Sequence, residues 1–338
     1  MKTPALDTRR LRRLLIDSGV NVQGQLVVTA LSGGRSNLTF KVSDEQSSWV
    51  ARRPPLSGLT SSAHDVVREY TVIAALGKTE VPVAAAVACD PEGSITGSSL
   101  CVVEYVPGLV IRDQDDLAAL TDDQVRAMAK SLVRTLVALH AVDYYAVGLQ
   151  SFGRPEGFAA RQAQRWARQW QQVKTRDLAD VDRLAAALNE QAPTAGAAAI
   201  VHGDYRIDNA LLDPARPDIV RAIVDWEMST LGDPLTDIAL SCVYRSPAFD
   251  EVLGTRAAWT SDRLPAAADI AQLYASESGR DLVNWNFYLA LANLKVAAIA
   301  EGITYRARRG SSAGTGADQA ALAAPLFAAA GLRALRRA

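Results

Sequence analysis

Cysteine, histidine and charge of one sign are all scarce in this sequence of 338 residues. The three cysteines, Cys89, Cys101 and Cys242, sit among apolar or small residues and none has C-x-x-C spacing. That pattern reads as buried reduced thiols, which implies a cytoplasmic protein. His64, His140 and His202 are far apart, which leaves no basis for a metal centre built on histidine. With 36 Lys and Arg against 37 Asp and Glu, the net charge is -1, so the whole chain carries no electrostatic signature of a nucleic-acid partner. No apolar run approaches the ~18 residues of a membrane span, so no membrane partner is expected. Leu14-Leu15-Ile16 is too short for a signal segment although Arg9, Arg10, Arg12 and Arg13 precede it.

What is present is a β-rich first third followed by helices. Residues 7–19 read as an amphipathic helix, and strands are expected at Val27 to Leu31 and Leu38 to Val42. Between those strands lies Ser32-Gly33-Gly34-Arg35-Ser36-Asn37, a turn whose glycines let backbone N–H groups come close to a phosphate. In Trp49 to Arg53, strand alternation puts Val50 and Arg52 on one face and Ala51 and Arg53 on the other. A helix is expected from His64 to Leu76, a strand over Ala84 to Ala88, and a buried strand from Leu100 that breaks at Pro107-Gly108. Beyond it helices dominate. Thr121 caps one that runs to His140, a second opens at Gly157-Phe158, and others are expected at 180–191, 233–245, 264–279, 281–302 and 315–336. The 281–302 helix is mostly apolar. Its polar exceptions, Asn284, Asn286, Asn293, Lys295 and Glu301, include candidates to face a substrate.

The chemistry gathers at His202-Gly203-Asp204-Tyr205-Arg206-Ile207-Asp208-Asn209 and at Asp225-Trp226-Glu227. Apolar runs, Ala197 to Val201 and Ile219 to Val224, deliver the two stretches, as buried strands do. Asp204 and Asn209 stand five apart and a second acid follows. This is the layout of a kinase catalytic loop, with an Asp for the substrate hydroxyl proton and hard oxygen ligands for Mg²⁺. Gly203 permits a tight turn, His202 braces backbone, and Tyr205 and Arg206 shape the loop.

These motifs, continued by Gly232-Asp233-Pro234 and Asp237-Ile238, resemble the aminoglycoside phosphotransferase and choline kinase superfamily. The resemblance is strongest to the branch that includes kinase-like domains fused to some acyl-CoA dehydrogenases. It implies an α+β, bilobal, protein-kinase-like fold, with a small β-rich lobe over 1–107 and a larger helical lobe over 108–338. It further implies ATP and Mg²⁺ as cofactors. Asp204 becomes the catalytic base, and Asn209 and Asp225 the metal ligands. Gly33, Gly34, Arg35, Ser36 and Asn37 would cover the phosphates. Arg52, with Val50 beside it, stands where such kinases carry the phosphate-binding Lys, and Glu69 is its helix partner. Glu104, Tyr105 and Val106 would form the adenine-binding hinge, and Asp237 would tie its helix to the catalytic loop.

The expected reaction moves the γ-phosphoryl of ATP to a hydroxyl of a small molecule. A hydroxyacyl-CoA or another anionic hydroxy compound is the acceptor the resemblance and the basic residues Arg161, Arg165 and Arg306 suggest. The absent Lys leaves a second reading open, a nucleotide-binding pseudokinase acting as a binding or regulatory module.

Overall fold

A computed structural model describes residues 6–31, 37–54, 65–194, 196–310 and 317–336. The chain divides into two compact units. One comprises Met1–Gly108 with Arg221–Ser229, the other Leu109–Val220 with Thr230–Ala338. Residues 221–229 thus join the first unit, although the sequence reading placed them in the second.

The first unit is built on an antiparallel sheet of β1 (Val27–Ala30), β2 (Leu38–Ser43), β3 (Ser48–Arg53), β4 (Ala86–Asp90) and β5 (Leu100–Glu104), in the order β1-β2-β3-β5-β4. Alternation sets what each strand residue does. On β3, Trp49, Ala51 and Arg53 are buried, whereas Val50 and Arg52 are half-buried on the other face. Helix α1 (Thr8–Asp17) is capped by Asp7, whose carboxylate accepts from the Arg9 and Arg10 N–H groups. Its Leu11, Leu14 and Leu15 enter a core with Phe40, Val42, Trp49, Leu100 and Val102. Helix α2 (Val66–Leu76) turns Val66, Glu69, Val72, Ala75 and Leu76 inward, so one carboxylate shares an apolar face.

One expectation is corrected here. Cys89 and Cys101 are register partners across β4 and β5 and are joined as a disulfide, whereas Cys242 alone is a free, buried thiol. Twelve residues separate the pair in sequence. Only the strand register brings the sulfurs together, and C-x-x-C spacing gives no sign of it.

Hydrogen bonds hold residues 221–229 in the first unit. Arg221 donates to Pro107 O, the Ile223 N–H to Pro82 O, and Arg68 to Ser229 O. Between them Asp225 takes a left-handed backbone conformation, φ 66 and ψ 60, uncommon for a residue with a Cβ.

The second unit holds α3 (Gln114–Ala118), α4 (Asp122–Ala141), α5 (Phe158–Val173), α6 (Ala179–Glu190), α7 (Leu235–Val243), α8 (Phe249–Leu253), α9 (Ala267–Ser278), α10 (Trp285–Arg308) and α11 (Ala317–Leu335). At the start of α4 the Thr121 hydroxyl accepts from Gln124 N and the Gln124 side chain accepts from Thr121 N, a reciprocal cap worth about 1 kcal/mol. Helix α10 is long and apolar enough to cross a membrane by length and composition alone, but 83% of that apolar window is buried, packed by α5, α6, α7 and α11. A short strand β6 (Ala199–Val201) leads into the loop that carries Asp204. After β7 (Ala210–Leu212) and β8 (Val220–Ile223), β9 (Thr230–Gly232) pairs antiparallel with β6.

Candidate active site

In the first unit, alternation on β3 points Arg52 at Glu69 of α2. Arg52 Nη1 lies 2.5 Å from Glu69 Oε2, and Arg52 Nη2 lies 3.8 Å from Asp225 Oδ1. The Glu69 oxygen makes its contact through charge, without an aligned hydrogen bond. The other Glu69 oxygen accepts from Asn37 Nδ2 at 2.8 Å. Burial pushes the Glu69 carboxyl up to about 7. Arg52 and the Asn37 hydrogen bond work against that rise, and the negative charges of Asp225 and Glu227 add to it. The arrangement is a guanidinium shared between a buried acid and a half-exposed one.

In the second unit, the turn after β6 is shaped by Gly203, whose φ of 84 suits a residue without Cβ. Asp237, on α7, fixes this turn. Its Oδ2 accepts from His202 N at 2.6 Å and its Oδ1 from Gly203 N at 2.8 Å. His140 Nε2 lies 3.2 Å from Asp237 Oδ2 and its Nδ1 lies 2.8 Å from the Tyr274 hydroxyl. His202 Nδ1 accepts from Asp204 N, the Tyr205 hydroxyl donates to Leu132 O, and Ser241 donates to Tyr205 O. These bonds aim Asp204, whose carboxylate is contacted on both oxygens. Tyr244 Oη donates to Oδ1 at 2.5 Å. Oδ2 accepts from Asn209 Nδ2 at 3.3 Å and lies 3.4 Å from Arg206 Nε. Asn209 Nδ2 also donates to Asp204 O at 2.8 Å. Burial raises the Asp204 carboxyl, but Arg206, Lys295, the Tyr244 hydrogen bond and His202 outweigh it and hold the group below its ordinary value.

A sequence model of the phosphotransferase enzyme family matches residues 27–272. The chain belongs to the phosphotransferase enzyme family. A Ralstonia eutropha protein, provisionally described as an aminoglycoside phosphotransferase, has a solved structure that superposes with a TM-score of 0.85. It is 31% identical and covers 98% of this chain and 99% of its own. A ternary complex of a thermostable mutant of aminoglycoside phosphotransferase APH(4)-Ia with ADP and hygromycin B shares the fold at 17% identity and a TM-score of 0.58, covering 96% of this chain and 97% of its own. Acyl-CoA dehydrogenase family member 10 of Mus musculus is 31% identical over 305 residues, 89% of this chain and 28% of that protein. The chain spans less than half the length of the curated relatives it matches. Its α+β architecture, with the sheet in the N-terminal part and helices in the C-terminal part, is that of aminoglycoside phosphotransferases.

The structure sorts the predicted residues between the two units. Arg52, Glu69, Asn37 and Asp225 gather in the first unit, and Asp204 and Asn209 in the second. Asn37 is buried and its side-chain amide donates to Glu69, which orients the carboxylate. Gly33, Gly34, Arg35 and Ser36 lie outside the described residues. Val50 pairs with Lys41 and Val103 in the sheet. The N–H groups of Glu104 and Tyr105 are used within the first unit, on Ala85 O and Ser48 O, and Val106 follows them half-buried. Asp208 pairs with Arg206 at 2.8 Å. On α10, Asn293 donates to Leu289 O and the fully buried Glu301 accepts from Thr175, so both are structural.

Tyr244 escaped the sequence reading, whereas Lys295 was named among the polar positions of α10. Nothing in the local pattern marks a tyrosine 40 residues beyond the acid it touches.

Each unit carries an oxygen of the hard type that Mg²⁺ takes. The Asn209 amide nitrogen is committed to Asp204, which orients the amide and leaves Oδ1 as its ligating atom, and Asp225 keeps a half-exposed carboxylate. Among the described residues no group of three or more His, Cys, Asp or Glu gathers as a metal site. Mg²⁺ takes few protein oxygens and completes its shell with phosphate and water.

Proposed function

We propose that this protein transfers the γ-phosphoryl group of ATP to a hydroxyl of a small molecule, with Mg²⁺. The observation that carries the reading is the Asp204 carboxylate, ionised below its ordinary range and oriented on both oxygens by Tyr244, Asn209 and Arg206. A loose phosphoryl-transfer transition state asks little of a base until late, so a weak base that orients the hydroxyl fits better than a strong one. In the proposed step the acceptor hydroxyl hydrogen-bonds to Asp204 and its oxygen bonds to the γ-phosphorus. The bond from that phosphorus to the bridging oxygen of ADP breaks, and the hydroxyl proton passes to Asp204. Arg52, held by Glu69, supplies the cation for the nucleotide phosphates and keeps the charge of the Lys it replaces. Asn209 and Asp225 are the oxygens assigned to Mg²⁺, which when bound neutralises phosphate charge.

For the acceptor we favour an anionic hydroxy compound, a hydroxyacyl-CoA among them. Similarity to acyl-CoA dehydrogenase family members supports this, and so do the basic residues of α5 and α10. The test is ADP release from Mg²⁺-ATP with hydroxyacyl-CoAs, aminoglycosides, amino alcohols and sugars, using Asp204→Asn as control. Acceptor-dependent release that disappears in the variant is expected. Nucleotide binding without release for any acceptor would favour the regulatory pseudokinase instead.

A further inference from the structure

Two cations of the second unit stand against one indole ring next to the catalytic loop. Lys295 Nζ, from α10, lies 5.3 Å from the Trp166 ring centre, and Arg165 Cζ, from α5, lies 5.6 Å from it. Lys295 Nζ also donates to Gly203 O at 2.5 Å, one residue before Asp204. Among the described residues that carbonyl is the acceptor Lys295 uses, although an ammonium has three N–H groups.

The charges facing Lys295 come from three elements: Asp204 on the loop, Asp237 on α7 and Arg165 on α5. Both acids are already served. Asp204 has Tyr244, Asn209 and Arg206, and Asp237 has His140 and two backbone N–H groups. Arg165 has the Trp166 ring as its described contact and is exposed. Arg161, one turn earlier, differs. Its two terminal nitrogens donate to the carbonyls of Glu156 and Arg154, so it braces the start of α5 and is removed from the basic rim expected there. The second unit therefore keeps two partly uncommitted cations on neighbouring helices, one of them bonded to the backbone that carries Asp204.

We propose that Lys295 and Arg165 are the acceptor's specificity determinants, binding a carboxylate or phosphate group of the molecule whose hydroxyl meets Asp204. This rests on the kinase reading and names the side chains that choose its acceptor. Trp166 attracts both cations to one ring and supplies neither with an anion. The bland alternative is that Lys295 serves only as counter-ion to Asp204.

The test is isothermal titration of the full chain with inorganic phosphate and, separately, with acetate. Lys295→Met, Arg165→Met, Lys295→Arg and Arg52→Met are compared with the wild type, and an ADP melting shift is recorded for each. Losing one charge-assisted hydrogen bond corresponds to about tenfold in affinity. We expect anion binding to weaken about tenfold in Lys295→Met and in Arg165→Met, to return in Lys295→Arg, and to persist in Arg52→Met. The stronger of the two probes identifies the anionic group. Arg165 is exposed, so its variant reports even if Lys295→Met does not fold. Binding that is absent in the wild type, unchanged in both Met variants, or lost only in Arg52→Met overturns the proposal. A missing ADP shift with anion binding intact would instead sink the kinase reading and leave this site standing.

Discussion

The Tyr244 hydroxyl donates a 2.5 Å hydrogen bond to Asp204 Oδ1 from the end of α7. Burial first, and then the Asp204 charge, push the Tyr244 hydroxyl well above its ordinary value, so it stays a donor. Tyr244→Phe keeps the ring and deletes the bond. A hydrogen bond to a charged group is worth ~1.5–3 kcal/mol, so kcat should fall roughly 10- to 100-fold, with KM for nucleotide unchanged. The lost donor also lets the Asp204 carboxyl rise, so the acid limb of the kcat profile should move to higher pH. A variant with wild-type kcat would show that Asp204 does not need this bond for its orientation.

Asp237 is a different kind of residue, buried and far from any role in proton transfer. It collects His202 N, Gly203 N and His140 Nε2 on one carboxylate. Burial alone would raise its carboxyl, but His140, His202 and these hydrogen bonds hold it below its ordinary value. Its stabilisation is therefore present above the unfolded value of ~4 and is lost as pH falls through the folded value. Asp237→Ala leaves buried N–H groups without an acceptor and should cost about 3–5 kcal/mol in urea unfolding at neutral pH. The gap to wild type should narrow below about pH 4. A constant gap across that range would remove the charge from the explanation.

How far the sequence could see follows from how local each signal is. Asp204 and Asn209 are five residues apart in one turn, and a period of two placed Arg52 opposite Arg53, so both were legible. The long helices were legible from apolar spacing, while the single-turn α3 and α8 were not, since five residues carry too little periodicity. Tyr244, Lys295 and the Cys89–Cys101 disulfide depend on contacts between distant stretches, and no local pattern encodes them. The same holds for Asn37. Its side-chain amide bonds a carboxylate on a helix 32 residues later, which its place after a glycine turn does not announce.

Arg52 tests whether a guanidinium is required where related kinases carry Lys. Its two terminal nitrogens serve different acids, Glu69 and Asp225, in a planar fork that the compact ammonium of Lys does not reproduce. Arg52→Met removes the cation beside Glu69, whose carboxyl is already raised to about 7 and would then take up a proton, so stability should fall by about 1–3 kcal/mol along with nucleotide affinity. Arg52→Lys should fold with most of that stability restored, while still binding Mg²⁺-ATP more weakly than wild type. Thermal melting with and without nucleotide separates the two effects. Equal nucleotide affinity in wild type and Arg52→Lys would show that charge alone matters at this position.

Glu69 gives the apoprotein a pH dependence of the opposite sign to that of Asp237. Its carboxyl is raised from 4.5 to about 7, chiefly by burial, so the folded protein binds a proton that the unfolded chain has released. Stability from this group is complete below the unfolded value and is lost as pH rises through about 7. The size is on the order of 3 kcal/mol, an upper figure because the group is coupled to Arg52. Glu69→Gln keeps an acceptor for Asn37 Nδ2 and cannot titrate. Urea midpoints of the wild type without nucleotide should therefore fall between about pH 4.5 and 7, while those of the variant stay level over the same interval. Parallel curves for the two proteins would mean that Arg52 neutralises Glu69 fully, and that this ion pair forms in the folded state at no electrostatic cost.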